Sequence, residues 1–268
     1  MSADHPFVTV EMTDPELVVG GVVHATVMSR ALGRRADCTF WSPPAGDRPL
    51  PLVVLLHGVY GSHWAWIGQG AADRAAQNLI ATGRVPPFAI AMPSDGMIGH
   101  GSGYVAHPAV DVPAWILDEV PLLASLAISG VTADRPIALA GLSMGGFGAL
   151  RLAAVARGRV VAAAGLSSIT EIAQLALFGA AVPDVPTGPE RSVIEAVRSN
   201  RESVPPLWIE CGDDDLLIAA NRRLHDELTE AGVEHRWTER PGRHEWAYWR
   251  AHLPAALEFV AGHFASAG

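Results

Sequence analysis

A chain of 268 residues, 49% hydrophobic and 18% charged, can bury one large core without help from disulfides. It carries 19 Arg and Lys against 28 Asp and Glu, a net charge of −9, with no basic cluster; this excludes a nucleic-acid-binding face and argues for solubility. No apolar run reaches the roughly 18 residues of a membrane span, and the opening Met-Ser-Ala-Asp-His-Pro lacks a basic and an apolar leader region, so a cytoplasmic chain is expected.

Residues 7–12, 22–30 and 36–41, rich in Val, Thr and aromatics, read as three strands joined by short links, an antiparallel lead-in. Residues 42–51 form a turn-rich connector. Leu52-Val-Val-Leu-Leu56 is a continuous apolar run, the mark of a strand buried on both faces, and it ends in the turn His57-Gly58-Val59-Tyr60-Gly61. A helix is expected over 70–82, a buried strand over 88–93, and a long polar loop over 94–112. Residues 113–128 read as a helix with proline at its start.

Pro136 to Leu150 is the segment around which the chain is organised: an apolar strand, the turn Gly141-Leu142-Ser143-Met144-Gly145, then a helical run over 147–157. Gly-x-Ser-x-Gly alone also describes an ordinary glycine-rich turn. Between a strand and a helix it is a nucleophile elbow, which lifts a serine hydroxyl above the sheet. Further strands are expected over 160–166, 206–211 and 235–239, and helices over 219–231 and 245–264. Residues 167–204 mix helical and Pro/Gly character and are a candidate small cap. Cys38 and Cys211 sit in separate apolar runs, as buried free thiols would. Strands alternating with helices imply a mostly parallel central sheet covered on both faces, in a single domain spanning 1–268.

A serine nucleophile needs a base and an orienting acid. Of the histidines after Ser143, His225 falls within a helix, His235 opens a strand, and His252 and His263 lie on the last helix. His244 alone occupies a loop between the last strand and the last helix, where an α/β-hydrolase places its base. Asp213, Asp214 and Asp215 follow a strand and are all candidates for the acid, but adjacent like charges mean that at least one faces water. The oxyanion hole is expected from the backbone N–H groups of Met144, next after the nucleophile, and Val59, in the turn after residues 52–56. Tyr60, Trp64, Trp66 and Trp246, with Trp249, flank these turns and are candidate substrate-binding walls. No zincin spacing, cysteine pair or dinucleotide fingerprint is present, so neither metal nor cofactor is expected.

Leu55-Leu-His-Gly58, Pro87 to Pro93, Asp118 to Leu123, Ala140 to Leu150, Cys211 to Leu217 and Pro241 to Trp249 together resemble the putative-esterase family of α/β-hydrolases. That family includes esterase D, the antigen 85 mycolyltransferases, and feruloyl and acetylxylan esterases. The resemblance selects Asp215 as the acid, through the family's Gly-x-x-Asp-x-Leu segment. It maps the family's Gly-Gly-His-Asp-Trp onto Gly242-Arg243-His244-Glu245-Trp246, with Arg243 and Glu245 departing from the pattern. It implies a serine ester hydrolase working through an acyl-enzyme on a small-molecule ester. An antigen 85-type acyltransferase and an S-formylglutathione thioesterase are its alternatives, and a non-catalytic scaffold is the third reading. The only insertion, 167–204, soon turns polar at Asp184, Glu190, Arg191 and Glu195, which favours short-chain or aromatic esters over long acyl chains.

Overall fold

The computed structural model describes residues 6–266 except 45, 47 and 186; the expectation of no leader rests on the opening residues, of which 1–5 lie outside that range. β1 (Phe7–Met12), β2 (Val22–Ser29) and β3 (Arg34–Trp41) form the expected antiparallel lead-in, registered from Val22↔Trp41 to Ser29↔Arg34. β4 (Leu52–Leu56) follows, then the short α1 (Ala65–Gly68), α2 (Ala72–Ala81) and β5 (Ala89–Pro93). A two-residue hairpin, β6 (Ala106–His107) and β7 (Val110–Asp111), leads into α3 (Val112–Ala114) and α4 (Val120–Ala127). The remaining elements are β8 (Ile137–Leu142), α5 (Met144–Val155), β9 (Val160–Leu166), α6 (Val193–Ser199), β10 (Leu207–Gly212), α7 (Ile218–Glu230), β11 (His235–Arg240) and α8 (Trp246–Gly262).

The sheet runs β1-β2-β3-β5-β4-β8-β9-β10-β11. β3 pairs antiparallel with β5, and every pairing from β5 through to β11 is parallel. Alternate residues of the central strands feed two cores. Leu52, Val54, Leu56 and Leu139 pack with Trp115, Phe147 and Leu224 on one face. Val53, Leu55, Ala138 and Ala140 pack with Leu79, Trp249 and Leu253 on the other. This two-sided burial is why those strands carry no polar alternation. Cys38 and Cys211 are buried free thiols in this sheet, and burial raises both pKa values, which keeps them unreactive.

Two stretches differ from the sequence reading. The loop over 94–112 is polar in sequence, yet Ser94, Asp95, Ser102, Tyr104 and Val105 are buried. Its polar groups are satisfied internally: the Asp95 carboxylate accepts from the Ser102 and Met97 amides at 2.7 and 3.0 Å. The single helix expected over 113–128 is interrupted by a π-helical turn over Trp115–Glu119. Pro121 has no N–H to give the Leu117 carbonyl, which accepts from Arg159 Nη2 at 2.5 Å instead.

The helix α5 lies against the sheet at very short range. A Cβ on Gly145 would stand 2.1 Å from the Leu56 carbonyl oxygen, and one on Gly141 would stand 2.2 Å from the Gly145 carbonyl oxygen. Helix propensity alone favours Ala over Gly by about 1 kcal/mol. The contact at Gly145 is with main chain that cannot rotate away, so the steric term wins. Gly145→Ala is therefore expected to destabilise the fold by about 1–3 kcal/mol, as overpacking does, read as a lower urea midpoint. A midpoint that rises would mean α5 can move off the sheet freely.

Candidate active site

Ser143 sits between β8 and α5 with φ 52° and ψ −118°, a backbone region costing on the order of 1–3 kcal/mol for a residue with a side chain. The surroundings hold it there. Its amide donates to the Leu166 carbonyl (2.9 Å) at the end of β9, and its carbonyl accepts from the Phe147 and Ile169 amides (both 3.2 Å). The turn places the Ser143 side chain at the N-terminus of α5, where the helix dipole favours developing negative charge.

His244 lies in the loop between β11 and α8. Its Nε2 is 3.1 Å from Ser143 Oγ, and its Nδ1 is 2.9 and 3.1 Å from the two carboxylate oxygens of Asp215. A carboxylate can only accept, so Nδ1 carries the proton and Nε2 is free to accept from the serine hydroxyl. Asp215 is buried and also accepts from the Leu217 amide at 2.8 Å.

The two preceding aspartates are exposed and face elsewhere. Asp213 accepts from the Gly242 amide (3.1 Å), and Asp214 pairs with Arg243 Nε (2.6 Å). Thus the structure brings Ser143, His244 and Asp215 together and leaves Asp213 and Asp214 at the rim.

Ser143 and His244 open into a cleft of about 430 Å³. Gly58 and Val59 line it, and a Cβ on Gly58 would stand 3.3 Å from Ser143 Cβ, so the 57–61 turn abuts the serine. Among the described residues the Val59 and Met144 amides have no protein acceptor, whereas the Tyr60 amide donates to the His100 carbonyl (3.1 Å).

Tyr60, Trp64 and Trp246 line the cleft as well. Trp66 does not: it is buried behind Trp246, edge to face at 5.6 Å, because the α1 turn points it into the core. Trp249 takes a wall position and stands edge-on to the His244 ring at 4.9 Å. Among the described residues of the 167–204 segment Phe178 alone reaches the cleft, 5.1 Å from the His244 ring, while Leu175 turns into the core and Leu177 into solvent. Tyr60 Oη donates to the Phe178 carbonyl, and His100 Nδ1 to the Gly179 carbonyl at 3.1 Å, tying this segment to the turn. Sequence reasoning could not pick Phe178 out of Leu175–Phe178, since all four residues are apolar and the 3-10 turn decides which points inward.

Glu210 is fully buried on β10. Its Oε1 accepts from Tyr248 Oη (3.3 Å), with His252 Nδ1 at 3.1 Å and Arg240 Nε at 3.6 Å. Burial raises its carboxyl pKa, and Arg240 opposes that shift. Among the described residues no group of three or more His, Cys, Asp or Glu side chains is arranged to hold a metal ion, and no helix is long and apolar enough to cross a membrane.

A ferulic acid esterase structure superposes with a TM-score of 0.76 at 23% identity, over 91% of this chain and 98% of that one. The S-formylglutathione hydrolase of Staphylococcus aureus superposes with a TM-score of 0.75 at 20% identity, over 94% and 99%. Both share the α/β-hydrolase fold with this chain. An acetyl esterase of Caldicellulosiruptor saccharolyticus is 26% identical over 142 residues, 46% of this chain and 53% of that protein. The chain thus spans little more than half the length of the curated relatives it matches. With residues 29–260 matching the family model described as Putative esterase, the chain belongs to that esterase family.

Proposed function

We propose that this protein is a serine carboxylic-ester hydrolase in which Ser143 is the nucleophile, His244 the general base and Asp215 the orienting acid. The observation that carries the reading is the continuous hydrogen-bonded chain from Ser143 Oγ through His244 to Asp215, opening into a cleft. Membership of the esterase family supports it.

Ser143 Oγ attacks the ester carbonyl carbon as its proton passes to His244 Nε2. The carbonyl π bond breaks and its electrons become an oxyanion, which the Val59 and Met144 amides stabilise. Collapse re-forms the carbonyl and expels the alcohol, which takes the proton from His244. The acyl-enzyme is then opened by water, with His244 again accepting and returning one proton, releasing the acid and the free serine. Asp215 holds the imidazole in the Nδ1–H tautomer and stabilises the imidazolium formed in each half-reaction.

Ser143→Ala and His244→Ala are each expected to lower kcat on p-nitrophenyl acetate by about 10³-fold or more, with the double variant little worse, since such groups act as a unit. Asp215→Asn should cost orders of magnitude. Asp213→Asn and Asp214→Asn should be mild, since both side chains face the rim. A Ser143→Ala protein with most of its rate intact, or a crippling Asp214→Asn, would refute the assignment.

The cleft points to short-chain or aromatic acyl groups. A long acyl chain needs a covered apolar tunnel worth about 0.8 kcal/mol per buried CH₂, and among the described residues the 167–204 segment gives the cleft one side chain, Phe178. On p-nitrophenyl esters kcat/KM should peak from acetyl to butyryl and drop steeply by octanoyl. A rate still climbing at decanoyl, or one dependent on an added sugar acceptor, would favour a lipase or an acyltransferase.

A further inference from the structure

The charge of the cleft lining differs sharply from its shape. Among the described residues, five aromatic side chains, Tyr60, Trp64, Phe178, Trp246 and Trp249, share it with one carboxylate, Glu245, and with no Arg or Lys. Trp246 and Trp249 meet edge to face at 5.4 Å and form one corner. Glu245 is exposed, and among the described residues its carboxylate has no hydrogen-bond or ion-pair partner. The nearby guanidiniums are engaged elsewhere: Arg243 with Asp214 (2.6 Å), and Arg250 with the Gln69 carbonyl (3.2 Å).

Position in the reaction decides which part of the substrate meets this corner. His244 gives its proton to the departing alcohol, so the alcohol leaves on the His244 side of Ser143. That side holds Glu245, Trp246, Trp249 and Phe178, in sequence or in ring contact with His244. Aromatic faces carry negative potential and attract cations, and a carboxylate without a counter-ion adds to that field. An anionic alcohol would meet the same carboxylate with no Arg or Lys among the described lining residues to replace its hydration.

We propose that the leaving-group side of this cleft selects esters of cationic, quaternary-ammonium alcohols over neutral isosteres and rejects anionic ones, with Glu245 as the specificity-determining residue. The proposal rests on the reading of Ser143 as an ester-hydrolysing nucleophile.

The test compares acetylcholine with 3,3-dimethylbutyl acetate, which has the same shape without the charge, and with the anionic 3-sulfopropyl acetate, by pH-stat at low ionic strength. The kcat/KM for acetylcholine is expected to exceed that of the neutral isostere by about tenfold, the scale of a desolvated cation–aromatic contact, with the sulfonate below both. Glu245→Gln should shrink the acetylcholine-to-isostere ratio to about threefold or less; using the ratio cancels any general loss of rate. Equal rates on the charged and neutral esters, or a ratio unmoved by Glu245→Gln, would overturn the proposal while Ser143-dependent hydrolysis of p-nitrophenyl acetate stands. Absence of that hydrolysis would remove the parent reading and this one with it.

Discussion

The structure depends on how closely α5 approaches the sheet at the serine turn. Main chain meets main chain there, with room for hydrogen alone on Gly141 and Gly145. That approach lets the chain reverse from β8 into α5 within one residue, and the residue at the reversal is Ser143, held at φ 52°. Backbone strain of this kind persists only where neighbours over-determine it. The neighbours are the Leu166 carbonyl and the Phe147 and Ile169 amides, which fix both polar groups of the Ser143 main chain. The same closeness brings the serine to the end of β4, so that the 57–61 turn stands beside it.

The other half of the site is held by a second tight junction, between the ends of β10 and β11. The Asp213 amide donates to the Arg240 carbonyl and the Asp214 amide to the Gly242 carbonyl, while the Asp213 carboxylate accepts from the Gly242 amide. Three successive aspartates thereby avoid sharing one charge site. One ties the two turns together, one pairs with Arg243 in solvent, and one is buried against His244. Tyr248, one turn into α8, packs against Gly242 and donates to buried Glu210, so the loop carrying His244 rests on a polar anchor rather than on apolar packing alone. A buried carboxyl is costly to leave unpaired; Tyr248, with the His252 and Arg240 nitrogens nearby, offsets part of that cost at Oε1, while Oε2 has no hydrogen-bond partner among the described residues.

Much of this was legible in the sequence, for reasons that can be named. Continuous apolar runs such as Leu52–Leu56 have one stable place, the middle of a sheet covered on both faces, and the structure puts them there. The elbow was legible because its steric demand selects glycine at fixed offsets from the serine. What periodicity could not show is where polar chain goes when it satisfies itself. The 94–112 loop looked solvated but is folded around Asp95 into the interior. Trp66 and Trp249 were likewise indistinguishable as tryptophans near the site; only the direction of the α1 and α8 turns separates the buried one from the wall. The choice among Asp213, Asp214 and Asp215 came from family resemblance, since composition treats the three alike.

The roof of the cleft behaves as part of the core rather than as a hinged lid. Ile169, Ile172, Leu175 and Ala180 belong to the same apolar cluster as the sheet, and a capping box between Glu171 and Gln174 fixes the start of the 172–178 turn. Tyr60 and His100 then clasp its far end at the Phe178 and Gly179 carbonyls. Opening this segment would expose buried aliphatic side chains at about 25 cal/mol per Å², besides breaking those bonds. These contacts hold Phe178 in place at the edge of the cleft. The lining side chains project from fixed edges: the 57–61 turn, Phe178, and the first turn of α8 with Glu245 at its N-cap. The strained serine turn is anchored through other elements, at the Leu166 carbonyl and the Phe147 and Ile169 amides, so the two edges of the cleft are held independently.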